Sequence, residues 1–148
     1  MSEDGVVGGD RVVVADVVDR VISVDEVSTA VATDRDGAVV TFAGVVRDHD
    51  EGKGVAALDY ERHPSAGEVI AEVARTIAAD HPEVRIAVLH RVGALGIGDV
   101  ALAAAVSSPH RAEAFAACAA LVDLVKERTP IWKRQEFTDG TDEWVAAL

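Results

Sequence analysis

The sequence predicts an α+β fold with mixed and antiparallel strands, two main helices and one short helix. Valine-rich runs of strand length and stretches of helical period follow the order β-α-β-β-α-β-β-α-β. Two pairs of strands succeed one another with no helix between them, which a simple doubly wound parallel sheet does not allow. There is no internal repeat and no low-complexity segment.

At 148 residues the chain is read as one domain over residues 11–148, behind a frayed, acidic and glycine-rich N-terminus at 1–10. A domain of this size buries roughly 70% of its unfolded surface, so it needs no disulfide or metal to fold. Its one cysteine, Cys118, lies in an alanine-rich helical stretch and reads as a buried structural thiol. No run approaches the roughly 18 apolar residues of a membrane span. The opening MSEDGVVGGD lacks the charge pattern of a signal or transit peptide, so a cytoplasmic location is expected. A formal net charge of −12 argues against nucleic acid and anionic membranes as partners.

In order, Arg11 to Val18 reads as a strand, and Ser23 caps a short helix whose first turn carries Asp25 and Glu26. A turn at Asp34–Gly37 leads into a buried strand, Gly37 to Arg47. The polar segment Asp48–Gly54 reads as a solvated, mobile loop. Its His49 and nearby carboxylates show no second ligand cluster, so no metal is assigned. Val55 to Arg62 is the next strand, with Leu58 and Tyr60 on one face, and is expected to pair with Gly37–Arg47 as a long-looped hairpin. Pro64 to Asp80 repeats apolar residues at helical spacing, and His81-Pro82 ends it. Val84–Val92 and Val100–Ser107 are strands joined by a glycine-rich connection. Its G-x-x-G-x-G spacing matches no nucleotide fingerprint.

Ser107 to Phe137 carries the chemistry. From Ser107 to Arg134 it holds five Lys/Arg against three acids, and two of the chain's three lysines, Lys126 and Lys133. Pro109 suits the first turn of a helix running to Arg128. Phe115, Cys118, Ala119, Val122 and Val125 mark its apolar face, widened by Leu121 and Leu124. Two readings stand at each end. His110 and Arg111 either flank an anion site at the amide terminus or pack and pair locally. Lys126 either serves a pocket or complements the helix dipole. Beyond Pro130, Ile131–Phe137 reads as a strand, which sends Lys133 and Arg134 to opposite faces. His110 and Lys126 are sixteen residues apart, about 24 Å along a helix. If both serve one ligand, they come from two copies of the chain, and the expected unit is a symmetric dimer.

The ordered segments GAVVTFAGVVRDHD, LDYERHPSAGE, HRVGALGIGD, SSPHRAEAF, VKERTPIWKRQEF and DEWV resemble the large, catalytic subunit of molybdopterin synthase, the MoaE family. The resemblance implies an α/β-hammerhead type of α+β fold. It implies a sulfur transferase that converts cyclic pyranopterin monophosphate to molybdopterin, drawing sulfur from the C-terminal thiocarboxylate of a small ubiquitin-like subunit. The assembly would be a heterotetramer around a homodimer, and the pterin a substrate, with no cofactor and no metal. By motif, Lys126 and Lys133 are the expected catalytic residues. Val45, Val46 and Arg47 lie at the strand end, and His110 and Arg111 are the anion-binding pair lent to the neighbour. Arg134 and Gln135 are expected to line the same pocket as Lys133, and Phe42 to lie against the pterin. The reading from another class is a non-catalytic module that binds an acidic or C-terminal partner tail.

Overall fold

The computed structural model describes residues 11–50 and 52–146. The expected fraying of residues 1–10 lies outside them. The chain runs β1 (Val12–Val18), α1 (Val24–Val31), β2 (Ala38–Val45), β3 (His49–Asp50), β4 (Lys53–Arg62), α2 (Ala66–Asp80), β5 (Arg85–Arg91), β6 (Gly93–Leu95), β7 (Val100–Ser108), α3 (Arg111–Arg128), β8 (Ile131–Phe137) and β9 (Asp142–Ala146). The α+β class expected from the sequence is the class observed.

One sheet has the order β1-β5-β7-β2, with β1 parallel to β5 and the other neighbours antiparallel. Its central strands, β5 and β7, are buried on both faces and therefore read as nearly continuous apolar runs. On one face Ile22, Val27 and Val31 close over Ala87, Leu89, Ala103 and Ala105. On the other, Ile86, Val88, Ala104 and Val106 meet the buried sides of α2 and α3. The alanines of β7 keep this sheet thin enough for helices on both sides. α1 starts as expected: the Glu26 amide donates to the Ser23 hydroxyl at 3.1 Å.

The second sheet runs β3-β4-β8-β9, with β6 also on β4. This corrects the expected hairpin of β2 with β4. β2 instead pairs with β7, from Ala38 opposite Ser108 to Val45 opposite Val100, and β4 pairs with β8. The polar segment between them is no open loop. It folds tightly, pairing His49 with Gly54 and Asp50 with Lys53, and Gly52 takes the turn at a φ of 82°. The glycine-rich connection likewise contains β6, which lays Leu95 opposite Leu58. β9, absent from the sequence reading, returns along β8 after a turn with Gly140 at a φ of 90°.

α3 also differs in two ways. It starts at Arg111 with an extended His110 at its cap, so Pro109 precedes the helix instead of filling its first turn. Its buried stripe is Ala114, Ala117, Cys118, Leu121, Val122 and Val125, whereas Phe115 is 62% exposed and Ala119 is exposed. Small residues sit where helix and sheet approach, and the large ring is turned outward. Leu121 has no exposed surface at the centre of this stripe. Leu121→Ala is expected to cost about 2–5 kcal/mol of unfolding free energy, read by denaturant titration.

Candidate active site

A cleft of about 240 Å³ lies where the end of α3, the end of β2 and the inner face of β8 meet. α3 closes its last turn with the Thr129 amide on the Val125 carbonyl at 3.0 Å. Thr129 is extended, and Pro130 cannot continue a helical ladder. The chain turns at once into β8, where alternation buries Ile131, Gln135 and Phe137 and exposes Trp132 and Glu136. Lys133 shares the inner side, opposite Tyr60 of β4, and meets Lys126 in the cleft. The third cation arrives from β2. The Val46 amide donates to the Asp99 carbonyl at 3.0 Å, and the Gly98 amide to the Val46 carbonyl at 2.9 Å, which fixes Arg47 at the rim.

The carboxylates nearby are already engaged. Asp50 accepts from Gln135 at 2.9 Å and pairs with Arg47 at 3.5 Å, and Gln135 also donates to Glu143 at 3.1 Å. Among the described residues neither lysine has an ion pair. Lys126 is exposed at the cleft mouth, yet protein on one side strips part of its hydration. That burial, then the charges of Lys133 and Arg47, push its ammonium below the ordinary lysine range. The cleft can therefore hold anions and offers an amine that releases its proton more readily than a free lysine.

The sequence-derived residues divide into three groups. Val45, Val46, Arg47, Lys126, Lys133 and Gln135 come together in this cleft. His110 and Arg111 stand exposed at the opposite end of α3, beside Gly37 and Ala38. His110 makes no side-chain cap. Arg134 does not share the cleft: it lies on the outer face of β8, bonded to Asp142 at 3.0 Å and Glu136 at 2.9 Å. Those bonds, Asp142 foremost, raise its guanidinium further. The strand alternation that brings Lys133 in sends Arg134 out. Phe42 is not a lining residue either. It packs on the core from β2, with its ring edge 3.3 Å from where a side chain on Gly44 would start.

Sequence reading missed Asp50, Tyr60 and His90 as members of the cleft. His90 had a signal: it ends the buried parity Ile86, Val88, His90 on β5. It is 7% exposed, and its Nδ1 lies 2.9 Å from the Arg91 carbonyl, so Nδ1 carries the proton and donates. Its ring meets Tyr60 edge-on, with centroids 5.3 Å apart. Burial lowers His90 to about 4, the Arg91 hydrogen bond opposes this, and the Lys126 charge adds to the lowering. Burial raises the Tyr60 phenol.

Three cations converging on one cleft, with a neutral imidazole in its wall, give this α+β fold a site suited to anions. Comparison with known proteins gives the family. Residues 17–128 match the family model described as MoaE protein, a span that includes Lys126 and stops short of Lys133. The chain belongs to the MoaE family. It is 45% identical over 134 residues to molybdopterin synthase catalytic subunit 1 of Mycobacterium tuberculosis, covering 86% of each chain. It is 37% identical over 127 residues to the molybdopterin synthase catalytic subunit of a Nostoc species, covering 84% of this chain and 77% of that one. The crystal structure of molybdopterin synthase from Staphylococcus aureus superposes with a TM-score of 0.83 at 32% identity, over 88% of this chain and 96% of that one.

The His90 shift has a consequence for stability. The unfolded histidine binds a proton that the folded one refuses between pH 6.5 and about 4. Stability therefore rises with pH through this window and is lost as pH falls, by up to about 3 kcal/mol from this group. Denaturant titrations at pH 7 and pH 4.5 are expected to show that slope, and His90→Gln to flatten it.

Proposed function

We propose that this chain is the catalytic subunit of a molybdopterin synthase. It moves sulfur, in two transfers, from the C-terminal thiocarboxylate of a small ubiquitin-like subunit to cyclic pyranopterin monophosphate, building the dithiolene of molybdopterin. The observation that carries this reading is the convergence of Lys126, Lys133 and Arg47 in one cleft. The names of the relatives support it. Donor and acceptor are both anions, and cations must hold them together before sulfur can pass. Lys126 works at the reacting centre, because an amine pushed below its ordinary range can both give and take a proton. Lys133 orients the substrate and offsets developing charge. Arg47 offers a planar fork to phosphate or thiocarboxylate, and its 3.5 Å contact with Asp50 is loose enough for an anion to replace. The pterin is the substrate, no cofactor enters the reaction, and the work is done in the cytoplasm.

The functional unit in this reading is a dimer. His110 and Arg111 of one copy complete the cleft of the other, since one copy holds them about 24 Å from Lys126 along α3. The exposed Phe115, one turn from Arg111, gives that end of α3 an apolar contact to bury.

Two measurements test this. The chain is mixed with a thiocarboxylated ubiquitin-like partner and cyclic pyranopterin monophosphate, and dithiolene product is followed. Lys126→Ala is expected to lower turnover at least about a hundredfold. Normal turnover in that variant would sink its assigned role, and tail binding without product would leave a non-catalytic binding module. Separately, Lys126→Ala and Arg111→Ala chains are unfolded, mixed equally and refolded. If sites are shared, half the dimers are mixed and each has one intact site, so about a quarter of wild-type activity returns. No recovery, or a fully active monomer in sedimentation, would remove the shared site.

A further inference from the structure

The cleft presents donors almost everywhere. Arg47, Lys126 and Lys133 carry N–H groups only, and the Asp50 carboxylate is taken up by Arg47 and Gln135. Lys126 stands beside two like charges and, among the described residues, has no carboxylate partner. Such an ammonium needs an acceptor to fix its direction. His90 is a lining group that can supply it from a rigid frame. His90 spends Nδ1–H on the Arg91 carbonyl, and its ring is braced edge-on by Tyr60. With the proton on Nδ1, Nε2 keeps its lone pair.

We propose that His90 is a positioning residue for Lys126: across one water within the cleft, its Nε2 accepts a hydrogen bond that the Lys126 ammonium relays, and so fixes where the amine points. The proposal takes from the reading above only that Lys126 is the working amine. Burial keeps His90 neutral down to a pH of about 4, so the acceptor is present through the whole neutral range. A charged side chain there would instead add a fourth cation beside Arg47, Lys126 and Lys133. The titratable groups around the pair are Arg47 from the end of β2, Asp50 of β3, Tyr60 of β4 and Lys133 of β8.

The chain has three lysines, so the protein labelled with ¹³C at lysine Cε gives a simple spectrum, in which Lys126→Arg assigns the Lys126 signal. Its titration is followed in wild type, His90→Phe and His90→Gln. Phenylalanine keeps a ring against Tyr60 and has no lone pair; the glutamine amide oxygen can accept. An acceptor steadies the ammonium, so losing it makes Lys126 about tenfold more acidic in His90→Phe, a midpoint about one pH unit lower. His90→Gln recovers most of that shift. Thermal melts by circular dichroism confirm folding, and His90→Leu replaces the phenylalanine variant if the latter does not fold. An unmoved Lys126 midpoint in a folded apolar variant, or an equal shift in His90→Gln, overturns the proposal. Neither thiocarboxylate nor pterin is present. The sulfur-transfer reading can therefore fail in its own assay while this coupling stands, and the reverse holds too.

Discussion

The cleft depends on where α3 stops. Its buried stripe, from Ala114 to Val125, is fixed against the sheet, so the last turn cannot shift along its axis. Thr129 then leaves the helix and Pro130 forbids its return. The chain re-enters as β8 only two residues later, against β4. Lys126 and Lys133 are brought together by that single reversal. The remaining pieces are set by β7, which holds β2 in register so that Arg47 emerges at the same corner.

The charge of the cleft is a local matter. The chain as a whole carries −12, which would repel an anionic ligand at long range. Charges beyond about 8–10 Å are screened at physiological salt, so the nearest groups decide. There the carboxylates are already committed: Asp50 to Gln135 and Arg47, Glu143 to Gln135, Asp142 and Glu136 to Arg134. The lysines are left without such partners among the described residues. The like charge of Lys133 beside Lys126 favours an anion between them.

Much of this was legible in the sequence because it is local. The apolar runs of β5 and β7, the Ser23 cap and the Pro130 break each act over a few residues. Strand pairing is not local, so pattern alone favours joining β2 to its neighbour β4, although both patterns are satisfied equally by partners far along the chain. β3, β6 and β9 escaped because strands of two to five residues carry little periodicity. Phe115 fits a helical apolar face on spacing, but only the sheet beneath α3 decides that alanines occupy the contact. Arg134 is instructive. Alternation alone had already placed it opposite Lys133; motif resemblance drew it into the pocket, and the strand geometry keeps it out. His90 lies inside the apolar run Val84–Val92, and nothing in its neighbours in sequence announces Lys126.

The alternation of β8 has one more consequence. Lys133 and Arg134 are adjacent, so a slip of one residue would exchange them while leaving composition and net charge untouched. The cleft would still attract anions. Beside Lys126 it would hold them with a planar guanidinium fork, in place of a compact ammonium on a flexible stem. One residue of register thus decides whether the second cation of the cleft is a flat fork or a point charge.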